Sequence, residues 1–242
     1  GAFVLAVPDL KAKLGLIAAR FYGEPAQSLK CIGVTGTNGK SSIAYCLSQA
    51  LTALQHPCGM IGTLGWGIPG ALSESSMTTP DAIALQSQLA TLKHQGASHL
   101  AMEVSSHALA QGRVVGLTFD VGVLTNITRD HLDYHGSMAE YKQAKMQLFA
   151  KHCSDVAIVN WDDPVARSLM KAVPKHLRLL TYSTQDPMAD IVAQALQSDL
   201  SGIRTQVKTP WGQTVLSSGL VGRFNASNLL GALAVLGSLG LP

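Results

Sequence analysis

The sequence is poor in charged and aromatic residues. Only 14% of its 242 residues are Asp, Glu, Lys or Arg, and 5% are Phe, Trp or Tyr, whereas about 25% of an average soluble domain is charged. Eighteen Lys and Arg against fifteen Asp and Glu leave a net charge of +3, and no run of basic residues occurs. This balance argues against a nucleic-acid partner, whose phosphates require clustered positive charge.

Cysteine and long apolar segments are also scarce. The four cysteines, Cys31, Cys46, Cys58 and Cys153, form no CxxC pair, which disfavours both a zinc ribbon and a disulfide framework and favours a reducing cytoplasm. The first ten residues lack the basic region of a signal peptide, and the longest apolar stretch, 229–241, is broken by glycines. We therefore expect a cytoplasmic protein with no membrane partner.

What the sequence has is apolar residues, 47% of the total, arranged as short β-branched runs that alternate with helix-period stretches. Such alternation predicts an α/β fold with a doubly wound, mostly parallel sheet, whose ligand site lies beyond the carboxyl ends of the strands. We expect strands at 31–35, 58–62, 99–104, 120–127, 155–160 and 178–182, and helices near 41–55, 80–95, 138–151 and 163–173.

The ends of the chain differ from this pattern. Residues 9–22 are compatible with a short amphipathic helix, and 23–28 resemble a linker. After residue 188 the pattern predicts a small antiparallel β meander with a turn at 210–213, followed by a last helix that begins near Asn225. Two helix starts are marked: Thr79 is expected to cap a helix that Pro80 opens, and Ser137 forms a capping box with Glu140.

A phosphate loop is indicated by the segment GVTGTNGKSS at 33–42, between a predicted strand and a predicted helix. Its glycines let backbone N–H groups converge on phosphate oxygens, Lys40 neutralises terminal phosphates, and a hydroxyl such as that of Ser41 can bind Mg²⁺. The strict form of the motif requires glycine at position 34, where Val34 stands. The alternative is a glycine-rich turn with an exposed lysine, but the context favours a nucleoside triphosphate.

A lysine lies on the apolar face of the helix that Ser137 caps. Lys145 is flanked at helical spacing by Met138, Tyr141, Leu148 and Phe149. One interpretation is that the side chain extends past these neighbours to water. The other is that burial lowers the pKa of the amine, which then adds CO₂ to give a carbamate, a carboxylate-like ligand for Mg²⁺.

Two further candidate metal ligands follow predicted strands. Glu103 ends a buried strand and is suited to Mg²⁺, although a solvated strand-end carboxylate has the same sequence pattern. His131 lies in a cluster that looks like a metal loop but whose residue types also cap turns: Asp130, His131, Asp133 and His135. Mg²⁺ is favoured over zinc because no thiolate joins the cluster.

Six motifs in this order resemble the ATP-binding central domain of the Mur ligases, in particular the UDP-N-acetylmuramoyl-tripeptide synthetase type: GVTGTNGKSS, MTTPDA, MEVSSHALAQGRV, TNITRDHLDYHG, YKQAK and GRFNASN. The resemblance implies an ATP-dependent amide ligase of peptidoglycan synthesis, which adds meso-diaminopimelate or L-lysine to UDP-MurNAc-L-Ala-D-Glu through an acyl phosphate. It further implies that 1–28 is the remnant of an N-terminal domain and linker, that 29–242 is the central domain, that a C-terminal amino-acid-binding domain is absent, and that the protein is a monomer.

The resemblance also assigns roles to residues. Lys40 would hold the terminal phosphates, Ser41 and Glu103 a first Mg²⁺, and His131 with carbamylated Lys145 a second. The implied ATP contacts are Gly36, Thr37, Asn38, Gly39, Lys40, Ser41, Ser42 and, at the adenine, Asn228. The implied contacts with the muramoyl peptide are Thr78, Thr79, Ser105, Gln111 and Arg113.

Structural alternatives to these roles remain open. Thr79, Ser105 and Asn228 also suit helix or strand-end caps, and Arg113 suits a surface charge. Met77 stands where many relatives carry asparagine. The rival functions are a folylpolyglutamate-synthetase-like ligase, a P-loop kinase or NTPase, and a non-catalytic nucleotide-binding subunit.

Overall fold

The computed structural model describes residues 6–241, so that residues 1–5 of the predicted N-terminal remnant, and Pro242, lie outside the described residues. Over this range the chain forms one sheet with helices on both faces. The strands are β1 Lys30–Thr35, β2 Cys58–Gly62, β3 Gly65–Ile68, β4 Ala71–Ser73, β5 His99–Glu103, β6 Phe119–Leu124, β7 Cys153–Asn160, β8 Arg178–Ser183, β9 Ile191–Asp199, β10 Gly202–Thr209 and β11 Gly212–Ser218.

The helices connect these strands in the predicted alternation. They are α1 Leu10–Phe21, α2 Lys40–Ala53, α3 Ala82–His94, α4 Ser106–Ala110, α5 Leu132–His135, α6 Met138–Lys151, α7 Pro164–Leu169 and α8 Arg223–Ser238, with 3₁₀ turns at Pro25–Ser28 and Met170–Ala172. None of the helices in residues 6–241 combines the length and apolarity that crossing a membrane requires.

The strand order confirms the doubly wound sheet. It runs β11-β10-β9-β8-β7-β6-β1-β5-β2-β3-β4. The seven strands at its centre, β9-β8-β7-β6-β1-β5-β2, are parallel to one another. The predicted meander, β9 to β11, is antiparallel and continues this sheet beyond β8. The antiparallel strands β3 and β4 were not predicted, because they have only four and three residues and glycine occupies two positions of β3.

The central strand β1 is buried on both faces. Ile32 and Val34 join the apolar cluster that contains residues of α2 and α8, such as Leu47 and Leu230. Cys31 joins the opposite cluster, which contains residues of α3 and α6. The loop after β1 therefore emerges between two helical layers at the middle of the sheet.

The two predicted helix caps have different outcomes. Ser137 does cap α6, where its hydroxyl accepts a hydrogen bond from the N–H of Glu140 at 3.2 Å. The prediction that Thr79 caps the next helix is wrong, because Asp81 accepts from the N–H groups of Ile83 and Ala84 at 2.9 and 3.0 Å. The Thr79 hydroxyl is instead buried against the end of β5, and the helix begins only at Ala82.

Helix α1 packs closely against the rest of the domain through a glycine. A Cβ atom on Gly15 would lie 2.0 Å from the carbonyl oxygen of Val115, and one on Gly116 would lie 2.7 Å from the carbonyl oxygen of Gly15. The helix thus approaches the segment before β6 at a distance that only glycine permits.

Gly15→Ala should accordingly destabilise the chain by about 1–3 kcal/mol, since the backbone on one side of the contact must move. Urea unfolding followed by circular dichroism measures the change. Gly219→Ala is the matched control, because no atom lies within 4 Å of the added methyl group. Equal midpoints for the two variants would show that the close approach is not present in solution.

Candidate active site

The loops that follow β5, β1 and β6 lie side by side at the carboxyl edge of the sheet. Glu103 ends β5, Gly36 follows β1, and Thr125 follows β6. Because β2 lies on one side of β1 and β6 on the other, the chain reverses its winding direction here, where ligands bind in doubly wound sheets. Two other predicted site segments, those after β5 and β6, therefore lie beside the phosphate loop.

The phosphate loop is held in shape by the segment 125–128. The Thr125 hydroxyl donates to the Asn38 carbonyl at 2.6 Å, and Asn126 accepts from the N–H groups of Thr37 and Asn38 at 2.8 and 3.0 Å. The N–H of Thr128 donates to the Thr37 hydroxyl at 3.0 Å. No role for Thr125, Asn126 and Thr128 was predicted from the sequence, because the strand was expected to run through 127, whereas β6 ends at Leu124 and leaves Thr125 and Asn126 in the loop.

Two positions of the loop, Gly36 and Gly39, have no space for a side chain. Gly36 and Gly39 have φ angles of 144° and 88°. A Cβ on Gly36 would lie 1.9 Å from the Thr125 hydroxyl, and one on Gly39 would lie 2.4 Å from the side-chain oxygen of Asn228. Val34, the departure from the strict motif, lies inside β1 and is buried, so the loop proper begins at Gly36.

Helix α2 begins directly after this loop, at Lys40, and Gly39 provides no side-chain cap. The first four N–H groups of a helix lack intrahelical partners and carry partial positive charge. Together with the glycine cradle, this arrangement fits the phosphates of a nucleotide.

Two lysine amines meet at one carbonyl group of the loop. The Nζ atoms of Lys145 and Lys40 lie 2.7 and 3.0 Å from the Gly36 oxygen, and Lys40 also donates to the Thr37 oxygen at 2.8 Å. Lys145 is 1% exposed, so the interpretation in which it extends to water is wrong.

Burial lowers the pKa of both amines. For Lys145, burial and then the charge of Lys40 lower the pKa from 10.5 to about 7. For Lys40, burial lowers the pKa, while the carboxylates of Glu103 and Asp130 act in the opposite direction. Part of the Lys145 population is therefore neutral at neutral pH, and a neutral amine can act as a nucleophile towards CO₂.

Glu103 is a buried carboxylate at the neighbouring strand end. It is 1% exposed, so the alternative of a solvated strand-end residue is wrong. Its Oε1 atom accepts from the N–H of Thr63 at 2.7 Å, and Oε2 accepts from the Thr63 hydroxyl at 3.3 Å. Two hydrogen bonds thus hold the carboxylate at the β5 side of the loop.

The side chains of the predicted metal loop at 130–135 do not come together around a common point. Within residues 6–241, no group of three or more His, Cys, Asp or Glu side chains is arranged to hold a metal ion. The half-exposed imidazole of His131 lies 3.4 Å from the Asp130 carboxylate, whereas the buried His135 pairs with the Ser106 hydroxyl at 2.9 Å. Mg²⁺ retains waters and uses substrate phosphates as ligands, so Ser41, Glu103 and His131 fit Mg²⁺ only at sites that a nucleotide completes.

The predicted muramoyl-peptide contacts lie next to Glu103, and several bond to one another. The buried Thr79 hydroxyl donates to the Glu103 carbonyl at 2.8 Å and accepts from the Ser105 N–H at 3.0 Å. Arg113 donates to the Thr79 carbonyl at 2.9 Å and to the Gln111 side chain at 2.8 Å.

Other contacts complete this group. The hydroxyls of Thr78 and Thr63 are 3.0 Å apart, and the Ser105 hydroxyl caps α4 by accepting from Ala108 at 3.1 Å. Arg113 also lies 3.3 Å from the sulfur of Met77. The guanidinium is therefore anchored to the site rather than free on the surface.

A cleft of about 570 Å³ adjoins the phosphate loop on the side of α8. Asn228 lies in the second turn of that helix and lines the cleft, which excludes the alternative of an N-terminal cap, since α8 begins at Arg223 after Gly222. Of the other lining residues, Asn38, Gly39 and Ser42 were predicted as ATP contacts. Five lining residues were not predicted: Asn126, Thr128, Asn160, Phe224 and Ser227. A planar base next to bound phosphates would fit this space.

Comparison with known proteins identifies the domain. The family described as Mur ligase middle domain matches residues 34–236. The UDP-N-acetylmuramoyl-L-alanyl-D-glutamate--2,6-diaminopimelate ligase of Ectopseudomonas mendocina (strain ymp) is 50% identical over 238 residues, which are 98% of this chain and 48% of the relative. The chain spans about half the length of the curated relatives that it matches.

Solved structures agree on the fold. A structure named UDP-N-acetylmuramoyl-L-alanyl-D-glutamate--2,6-diaminopimelate ligase superposes with a TM-score of 0.88 and 33% identity over 98% of this chain and 49% of that one. Folylpolyglutamate synthase of Mycobacterium tuberculosis, solved with ADP and AMPPCP, gives a TM-score of 0.78 at 18% identity over 96% of this chain and 60% of that one, a likeness of fold alone.

The depressed pKa of Lys145 predicts a pH-dependent stability. Between about 7 and 10.5 the unfolded chain keeps the proton that the folded chain has lost, so the free energy of unfolding should rise with pH across this window. Lys145→Met removes this contribution, and the stability of wild type relative to the variant should increase from pH 7 to pH 9 by about 1 kcal/mol or more.

Urea unfolding at several pH values tests this prediction. Lys142→Met, on the same helix but partly exposed, is the control. Its free energy of unfolding plotted against pH should run parallel to that of wild type. If the curves of Lys145→Met and wild type are also parallel, the amine is not buried as described.

Proposed function

The chain belongs to the Mur ligase family through its middle domain, and on this premise we propose that it is the ATP-binding domain of an ATP-dependent amide ligase of peptidoglycan synthesis. The observation that carries the proposal is the phosphate loop whose Gly36 carbonyl receives both Lys40 and Lys145. A plain NTPase needs no buried second amine at that position. The acceptor is UDP-MurNAc-L-Ala-D-Glu, and the names of the relatives favour diaminopimelate over L-lysine as the added residue.

The proposed reaction has two steps. The side-chain carboxylate of D-Glu attacks the γ-phosphorus of ATP, which gives an acyl phosphate and ADP. The amine of the diamino acid then attacks the activated carbonyl carbon, and the tetrahedral intermediate collapses to an amide with loss of phosphate and a proton. Activation is needed because a carboxylate is a poor electrophile.

The protein contributes mainly position and charge in the first step. The N–H groups at the start of α2 and the ammonium of Lys40 would neutralise the β- and γ-phosphates. Asn228 and the cleft beside it would hold the adenine, so that the γ-phosphate points towards β5. This arrangement leaves the Glu103 side of the loop for the acceptor.

We propose that Ser41 and Glu103 hold one Mg²⁺ and that His131 and carbamylated Lys145 hold a second. When bound, Mg²⁺ neutralises charge on the phosphate oxygens and on the attacking carboxylate. The carbamate would form on the neutral fraction of the Lys145 amine, which burial makes available near pH 7. Carbamylation also converts a buried cation into an anion, so that the two lysines no longer repel each other.

The acceptor would bind along Thr78, Ser105, Gln111 and Arg113. Arg113 suits an anionic group of the acceptor because its guanidinium is already oriented by two hydrogen bonds. Thr79 belongs to this surface as the residue that holds Glu103 and Ser105 in place. Since both nucleotide substrates occur in the cytoplasm, we propose that compartment for the enzyme, acting as a monomer.

Lys40→Ala should abolish ligation, with a loss of at least about 100-fold in kcat/KM, because the terminal phosphates lose their main positive partner. The measurement is phosphate release from ATP by the ligase that contains this chain, with UDP-MurNAc-L-Ala-D-Glu and diaminopimelate. Lys175→Ala, on an exposed turn, is the control. Release that does not depend on the acceptor would support an NTPase instead.

A further inference from the structure

One buried side chain touches both the phosphate loop and Lys145. Tyr141 of α6 is fully buried. Its hydroxyl lies 3.0 Å from the Thr37 hydroxyl, and its ring centre lies 4.5 Å from the Nζ atom of Lys145. The sequence pattern explains Tyr141 only as an apolar-face residue, for which phenylalanine would serve equally well.

The Thr37 hydroxyl has three polar neighbours. It accepts from the N–H of Thr128 at 3.0 Å, lies 3.3 Å from the Thr128 carbonyl and lies 3.0 Å from the Tyr141 hydroxyl. Either hydroxyl of the Thr37–Tyr141 pair can donate to the other. Tyr141 and Thr128 thus hold the Thr37 side chain from two separate segments of the chain.

Thr37 in turn positions a lysine of the loop. Its carbonyl oxygen accepts from the Lys40 amine at 2.8 Å. A displacement of Thr37 would thus move the group that holds Lys40 near Gly36. The chain of contacts runs from Tyr141 through Thr37 to Lys40, and none of these three residues lines the Asn228 cleft.

We propose that Tyr141 is a positioning residue for the phosphate loop: its hydroxyl fixes Thr37 and, through Thr37, the Lys40 ammonium that binds the terminal phosphates of ATP. This inference rests on the proposed nucleotide-binding function and extends it to a residue outside the loop. It predicts that Tyr141 matters for recognition of the triphosphate and not for recognition of the base.

The test is a double-mutant cycle on the chain, read by calorimetric binding of AMPPCP with Mg²⁺. Tyr141→Phe should weaken binding by about 5- to 10-fold, the worth of one hydrogen bond. Thr37→Val also removes the contacts of Thr37 with Thr128 and should weaken binding at least as much. Because Tyr141 acts through Thr37, the double variant should lose little more than Thr37→Val alone. Independent losses that multiply in the double variant would overturn the proposal.

A second ligand and a control variant distinguish the positioning role of Tyr141 from a purely structural one. Tyr141→Phe should leave the affinity for AMP, which lacks the terminal phosphates, unchanged within about twofold, whereas general loosening of the site would weaken both ligands. Tyr45→Phe is the matched control, since Tyr45 is 36% exposed and its hydroxyl accepts from the Gln49 side chain at 2.9 Å; this variant should bind both ligands as wild type does.

The possible results distinguish a failure of the proposed nucleotide-binding function from a failure of the proposed role of Tyr141. If wild type does not bind AMPPCP, the proposed function fails. If wild type binds and Tyr141→Phe binds equally well, only the role of Tyr141 fails. Should Tyr141→Phe not fold, Thr37→Val carries the test from the other end of the same hydrogen bond, and wild-type affinity in that variant would overturn the inference.

Discussion

The site depends on the carbonyl group of Gly36, which accepts hydrogen bonds from the buried amine of Lys145 and the partly buried amine of Lys40. The charge of Lys40 disfavours the charged form of Lys145, and burial removes the water that would screen the two amines. A polyanion beside the loop would relieve this repulsion, and so would conversion of one amine into an anion. The same arrangement is the physical basis for the proposed triphosphate ligand and for the lowered pKa of the Lys145 amine.

The rest of the fold keeps these two amines at the loop. β1 is packed between two apolar layers, and the loop that follows it is bonded to Lys40 of α2 and Lys145 of α6. The segment after β6 binds the loop from the side through Thr125, Asn126 and Thr128. These hydrogen bonds to the loop thus come from a segment about 90 positions away along the chain.

Features governed by local spacing could be predicted from the sequence. The strands of the parallel sheet, the phosphate loop, the Ser137 cap and the placement of Lys145 on an apolar face all follow from short-range patterns. Features decided by competition between distant groups could not. The Thr79 hydroxyl meets the end of β5, so Asp81 caps the helix instead, and His135 pairs with Ser106 rather than joining a metal loop. Periodicity likewise places Tyr141 on the correct face but says nothing of its bond to Thr37.

The most direct measurement is an NMR titration of the Lys145 side-chain amine in the isotopically labelled chain, with Lys145→Met used to assign its signal. The amine should titrate near pH 7, and Lys40→Met should move that midpoint upward, because the charge of Lys40 is one of the two causes that lower the pKa. A midpoint close to the ordinary value of 10.5, unchanged by Lys40→Met, would contradict the account.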